Sequence, residues 1–382
     1  MDQLATGLTG TRVPGGYPSC VYGPRGRGEY IPGGSSSGSA VAVGMGLVPF
    51  ALGTDTAGSG RVPAGFNGCL VFKARPGVGM EGLFPACKSL DSLVIFGARD
   101  GGVRGLSMVW DVIQGAVADK SEGVPRAANL LVGGNVPKQG SGVKFTTPPL
   151  EELKKICSPQ YFHCFSKLTS HLQSQSQQDP HLPQPAPPLS VAAWEKLTTA
   201  GKLVYSGAYL YERLTMLPTQ RPTEWLSEHK PHLDPSVLAL LSSAAQNLPH
   251  YTPEQIFRDL HFAAEATRWA RKAVFGDGEV VVLLPSAPGH PRVEEVVGNP
   301  VGVGVWLGSL SGWGNVLGCE ALGLVGGWYQ EGMGGMSMPF GVVLIGLEGV
   351  LGVVEGARNS GHGWRCIEMV GGLRYGRLEG SD

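Results

Sequence analysis

The chain has 382 residues, 42% of them hydrophobic, and a formal charge of −1 at pH 7. That length buries a substantial core, as one large domain or two modest ones, and nothing in the balanced charge points to nucleic acid or an anionic membrane as partner. Seven cysteines lie scattered without a Cys-x-x-Cys pair, and nine histidines show no ligand spacing, so neither a disulfide framework nor a metal site is indicated. No basic, apolar and small-residue succession of a secretory leader follows Met1. The greasiest run, 340–354, contains Glu348 and is too short to cross a bilayer. Glycine is the anomaly: 59 residues, about twice the usual share of roughly 7%.

Residues 1–32 open in Met1-Asp2-Gln3-Leu4-Ala5-Thr6-Gly7 and a Gly/Pro-rich loop. The small and branched residues that follow predict a buried helix over Ser39–Gly46 and a short buried strand over Val48–Leu52, since both faces are greasy. Strand and loop are expected over 62–99, around Phe72-Lys73 and Leu83–Ala86, with a branched run at Ser92–Phe96. A helix follows at Val109–Val117. Residues 173–189 are low in complexity and read as a flexible loop or insertion. Helical stretches follow at Val191–Met216 and Tyr251–Phe275. The second opens with Thr252 as N-cap, Pro253 at the first helical position and Gln255 completing a capping box. Val280–Leu284 and Phe340–Ile345 read as strands, and the stretch from Glu355 carries no interpretable pattern. Strand and helix alternate, which points to an α/β layered architecture.

Two serine-and-glycine clusters carry the chemistry. Gly33-Gly34-Ser35-Ser36-Ser37-Gly38-Ser39-Ala40 and Gly53-Thr54-Asp55-Thr56-Ala57-Gly58-Ser59-Gly60-Arg61-Val62-Pro63-Ala64 flank the hydrophobic segment 41–52. Glycines beside a serine let backbone N–H groups turn to a common point and leave room for a carbonyl above the hydroxyl. The chain runs out and returns between Ser35 and Ser59, so both hydroxyls can meet in one site.

Residues 33–64 resemble the signature of the amidase signature family of serine hydrolases. The resemblance implies a mixed central β-sheet flanked by α-helices on both faces, here lacking its first elements. It implies Ser59 as nucleophile, Ser35 as the serine that follows an unusual cis peptide, and the N–H groups of Thr56, Ala57, Gly58 and Ser59 as an oxyanion hole. The family normally has Gly at the position of Ala57. Asp55 and Arg61 brace the loop through an ion pair in this reading. Within the family, Asp2–Arg12, Gly46–Leu52, Pro63–Asn67, Pro85–Asp91 and Leu284–Pro288 resemble allophanate hydrolases, and the amidase-like domain spans residues 1–354, leaving 355–382 as an unassigned tail.

Tyr205 and Arg213 match a Tyr/Arg pair with which allophanate hydrolases bind substrate. Eight positions is a little over two helical turns, so one face can present both. A guanidinium suits the carboxylate of allophanate by a bidentate pair and a phenol adds a hydrogen bond. The implied mechanism is acyl transfer to Ser59 with release of ammonia, Ser35 relaying a proton to a neutral lysine, and no cofactor. No lysine precedes Lys73, which occupies another place in the pattern. The expectation is therefore an N-terminally truncated chain, inactive or nearly so. The resemblance also implies a cytoplasmic homodimer linked by pathway to a biotin-dependent urea carboxylase. The alternatives are another amidase, such as a glutamine amidotransferase subunit, and a non-catalytic binding relic of the same fold.

Overall fold

The computed structural model describes residues 1–22, 29–80, 82–83, 86–119, 144–179, 182–331, 336–347, 349–351 and 374–375, excepting the side chains of 116–119, 277, 331, 336 and 374–375. The strands are β1 (Phe50–Asp55), β2 (Leu70–Lys73), β3 (Ser92–Gly97), β4 (Lys144–Thr146), β5 (Val280–Pro285), β6 (Glu320–Glu331), β7 (Met336–Gly346) and β8 (Arg374–Tyr375). The first helices are α1 (Ser37–Gly44), α2 (Arg61–Asn67), α3 (Gly102–Asp119), α4 (Leu150–Ile156), α5 (Pro159–Gln178) and α6 (Val191–Ser206). After them come α7 (Ala208–Thr215), α8 (Pro222–Glu228), α9 (Pro235–Asn247), α10 (Pro253–Ala273), α11 (Val293–Gly298), α12 (Pro300–Gly308) and α13 (Trp313–Val316).

The strands form one mixed sheet in the order β1-β3-β2-β6-β7-β5-β4, antiparallel along that order except for β5-β4, with β8 parallel beside β6. Successive residues of a strand face opposite sides, and β2 and β3 use both. Val71, Val94 and Phe96 pack on Ala40 and Val43 of α1 and Ala64 of α2. Leu70, Phe72, Leu93 and Ile95 join Val103, Leu106 and Trp110 of α3, and Trp110 stands edge-on to Phe72 with ring centroids 5.1 Å apart. Helices thus cover both faces here, which is why these strands read as unbroken apolar runs. A satellite core of Leu210, Leu214, Leu226, Val237 and Leu241 joins α7, α8 and α9. No helix among the described residues is long and apolar enough to cross a membrane.

Several expectations are corrected. The strand expected at 48–52 as buried begins at Phe50, runs to Asp55 and lies at the sheet edge, where Phe50 and Leu52 are each 46% exposed. An apolar run does not reveal whether a neighbouring strand exists. Residues 62–67, part of the 62–99 expected as strand and loop, belong instead to α2. Pro63 sits among the first residues of that helix, where its missing N–H costs nothing, and Gly68 ends it in the left-handed region at φ 66°.

The helix expected at 109–117 extends over Gly102–Asp119. The single stretch expected at 191–216 is two helices, α6 and α7, broken at Gly207, whose φ and ψ of −135° and −156° are extended. Residues 173–178 continue α5 rather than form a loop. Residues 184–189 lie along β4, with Phe145 N–H donating to Gln184 O (3.1 Å) and Ala186 N–H to Phe145 O (2.7 Å). Polar composition here accompanies a helix end and a strand-like segment. The capping box of α10 is present, Gln255 N–H donating to Thr252 Oγ1 at 3.3 Å and Thr252 N–H to Gln255 Oε1 at 2.8 Å. Of the tail 355–382, only Arg374–Tyr375 are described, and they pair with Trp328–Tyr329. Phe84 and Pro85 lie outside the described residues, and 82–83 are turn and bend.

Candidate active site

The two serine loops meet through the backbone. Ser36 N–H donates to Ser59 O at 3.1 Å. Ser36 Oγ donates to Thr54 O (3.0 Å) and accepts from Thr54 N–H (3.2 Å), stitching the start of α1 to β1. The Gly34–Ser35 peptide bond is cis. Beside it, Ser35 O accepts Asp2 N–H at 2.9 Å, and the buried Asp2 carboxylate accepts Gly10 N–H (3.0 Å) and Arg12 N–H (2.9 Å). A Cβ on Gly34 would collide with that carboxylate, so only glycine fits there. Burial raises the Asp2 pKa against the pull of those N–H donors.

The second loop is built on a buried carboxylate. Asp55 accepts Gly58 N–H (2.8 Å), Gly60 N–H (3.0 Å) and Arg61 N–H (3.3 Å). Arg61 grips it side-on, Nε to Oδ2 at 3.0 Å and NH2 to Oδ1 at 2.9 Å, with both side chains fully buried. Burial would raise the Asp55 pKa, but Arg61 and the N–H donors outweigh it and hold the group well below the carboxylate range. Arg61 also donates to Ser311 O (2.8 Å) and Asn315 Oδ1 (2.6 Å), and Asn315 Nδ2 donates to Asp55 O (2.8 Å) and Leu90 O (3.2 Å). Thr56 Oγ1 donates to Asp91 Oδ1 at 2.6 Å.

This geometry corrects one expected role. Gly58 N–H is turned onto Asp55 and is not free for an oxyanion. Gly58 itself stands at φ +128°, a conformation that a side chain rarely adopts.

Ser35 and Ser59 are 0% and 1% exposed, and neither hydroxyl has a hydrogen-bond partner among the described residues. The same is true of Tyr205 OH and of all three guanidinium nitrogens of Arg213, a residue only 4% exposed. Although α6 ends between them, the Arg213 guanidinium carbon lies 5.2 Å from the Tyr205 ring centroid. The break is pinned by Asp259, which accepts Ala208 N–H at 2.9 Å and a short hydrogen bond from Tyr251 OH. Burial raises the Tyr205 pKa, while Arg213 and Arg12 pull it down and Asp2 and Asp55 push it up. The 86–91 loop links Thr56 to α7: Asp91 Oδ2 accepts Cys87 N–H (2.9 Å), and Ser89 N–H donates to Glu212 Oε1 (2.8 Å).

Lys73, at the end of β2, is fully buried and donates to Cys319 O (2.8 Å) and Ala74 O (3.2 Å), not to either serine. Burial, reinforced by Arg61, lowers its pKa to about 8. Sequence reasoning missed Asp2, Asp91, Asn315 and Ser311 as parts of this site. Asp2 and Asp91 lie inside the stretches quoted for the resemblance, but nothing in the spacing of Asn315 or Ser311 marks them.

Residues 1–146 match the amidase family model. The urea amidolyases of Lachancea kluyveri and Saccharomyces cerevisiae are 28% and 30% identical over 352 residues, which is 91% of this chain and 17% of each of those proteins. The solved allophanate hydrolase of Kluyveromyces lactis superimposes with a TM-score of 0.70 at 26% identity, over 94% of this chain and 53% of that one. The chain thus spans about half of that solved chain and a small part of the curated relatives.

Proposed function

Because the chain belongs to the amidase signature family, we propose that its two serine loops form the acyl-transfer site of an amide hydrolase of the allophanate type. One observation carries the substrate class: among the described residues Arg213 keeps a buried guanidinium with no acceptor on any of its nitrogens, beside a phenol whose hydroxyl also lacks a partner. Burying a cation without a counter-charge is costly, and a small ligand carboxylate answers it with a bidentate pair. Tyr205 OH supplies the further hydrogen bond. Allophanate has this chemistry, a carboxylate joined to a planar amide.

In this reading Arg213 and Tyr205 hold the carboxylate end and Ser59 Oγ attacks the terminal amide carbonyl. The N–H groups of Thr56, Ala57 and Ser59 take the developing oxyanion. Ammonia leaves, and water cleaves the acyl-serine. The resemblance to urea amidolyases supports a place after the carboxylation of urea, and hence a pathway link to a biotin-dependent urea carboxylase.

The proton acceptor is the weak point. No titratable group among the described residues hydrogen-bonds Ser35 or Ser59, and Lys73 is engaged elsewhere. A serine hydroxyl without a base is a poor nucleophile, so the chain is expected to bind substrate well and turn it over slowly. This same observation favours a second reading, a binding protein that keeps the amidase fold without turnover. Ammonia release from allophanate and calorimetric binding, measured on the same chain, separate the two. Turnover abolished by Ser59→Ala supports the hydrolase, and binding without turnover supports the second reading. Absence of both would sink the assignment of Tyr205 and Arg213.

A further inference from the structure

We infer that Ser311 is a substrate-contacting residue of this site, its hydroxyl accepting an N–H of the scissile amide and so selecting amides over esters; this rests on the function proposed above. Ser311 is 0% exposed, and its hydroxyl has no hydrogen-bond partner among the described residues. It lies in the turn between α12 and α13, far in sequence from the serine loops, yet it is fixed against them. Its carbonyl oxygen accepts from Arg61 NH1 at 2.8 Å, and Arg61 is the same side chain that clamps Asp55 beneath Gly58.

The hydroxyl oxygen stands 3.5 Å from where a Cβ on Gly58 would lie, directly beside the residue that precedes Ser59. The flanking Gly308 and Gly312 bring the turn close to the same loop, their absent Cβ positions lying 3.7 and 3.8 Å from Ala57 O. A buried hydroxyl without a partner is a defect unless something else satisfies it.

The chemistry of the loop says what that is. Thr56, Ala57 and Ser59 present donors, which suit the oxygen of an amide. The amide's NH2 needs an acceptor on the other side. A hydroxyl oxygen is such an acceptor, and of the unpartnered hydroxyls Ser311 is the one set against Gly58 and given no part in nucleophilic attack or proton relay. A site built to satisfy a ligand N–H discriminates against the analogue that lacks it, because the buried group is then left unpaired.

The experiment is calorimetric titration of the full chain with two small carboxylates, malonamate, which carries a primary amide, and monomethyl malonate, which carries an ester. Ser311→Ala should weaken malonamate about tenfold, the size of one hydrogen bond, and leave monomethyl malonate unchanged, while Ser311→Thr should retain both affinities. If Ser311→Ala does not fold, Ser311→Cys, with a much weaker acceptor, carries the same expectation. Equal weakening of both ligands, as from a purely structural role, or no change in either, overturns the inference. Arg213→Ala is the control for the underlying reading and should abolish binding of both. If Arg213→Ala binds malonamate as well as the native chain does, or the native chain does not bind it, the proposed function itself fails and this inference with it.

Discussion

Ser36 donates its backbone N–H to the carbonyl oxygen of Ser59 while its hydroxyl exchanges two hydrogen bonds with the backbone of Thr54. One residue thereby joins the loop that ends in Ser35 to the strand that delivers Asp55 and Ser59. Ser36→Ala keeps the first contact and removes the other two, leaving Thr54 N–H and C=O short of their partner in a partly buried place. The expected loss is about 1–3 kcal/mol of unfolding free energy, measured by urea denaturation. An unchanged urea midpoint would mean that water replaces the hydroxyl and that the junction does not depend on it.

The Asp55–Arg61 pair sets the acid limit of the fold. Asp55→Asn leaves Arg61 buried without its counter-charge, and the expected loss at pH 7 is about 3–5 kcal/mol. The sign with pH follows from a folded pKa that lies below the ordinary value of 3.8. The stabilisation is fully present above that value and is lost as pH falls below it towards the folded pKa. Native and Asp55→Asn stabilities, followed by chemical denaturation from pH 7 to pH 3, should therefore differ by a constant amount down to about pH 4 and then converge. A gap that does not close on acidification would assign the loss to packing rather than to charge.

The residues proposed for this site are mostly legible in the sequence. Ser35, Ser59, Asp55 and Arg61 fall in a contiguous string whose glycine and serine spacing has few other uses, and the pairing of Tyr205 with Arg213 survives even though the single helix expected to carry both is broken at Gly207. What spacing could not show was which N–H groups are already taken. The resemblance includes Gly58 among the oxyanion donors, but its N–H goes to Asp55, three residues earlier. Asn315 and Ser311 were illegible for a related reason: they reach the site by tertiary contact from the α12–α13 region, and a lone polar residue in a glycine-rich stretch carries no period. The exposure of β1 was hidden too, since an apolar run reads alike at the edge and the centre of a sheet.

Arg213 carries an opposed pair of expectations for binding and stability. Its guanidinium is buried against the Tyr205 ring with no hydrogen-bond acceptor among the described residues, so its charge costs the fold stability. Arg213→Met, similar in length and apolar, should raise the unfolding free energy by about 1–4 kcal/mol, as when buried ionic groups are replaced by hydrophobic ones. The same change should abolish binding of carboxylate ligands. Thermal unfolding with and without malonamate checks both: the variant should melt higher than the native chain alone and show no ligand-induced rise. A variant that melts lower would show that Arg213 contributes packing that outweighs its charge.

Lys73 makes the opposite kind of pH prediction. Burial first, and then repulsion from Arg61, lower its pKa from 10.5 to about 8, with Asp55 acting the other way. In the unfolded chain the amine holds its proton up to about pH 10.5; in the folded chain it releases it near pH 8. Between those values the unfolded state binds more protons, so this residue makes stability rise with pH. Below pH 8 both states are charged, and the folded chain carries the full penalty, about 3 kcal/mol for a shift of this size. The Lys73→Met variant lacks the titration. The native stability relative to that variant should therefore be flat from pH 6 to pH 8 and climb towards pH 10, read as the difference between two urea denaturation series. A difference that stays level through that window would show that the ammonium keeps its proton, stabilised by the carbonyl oxygens of Cys319 and Ala74 that it already contacts.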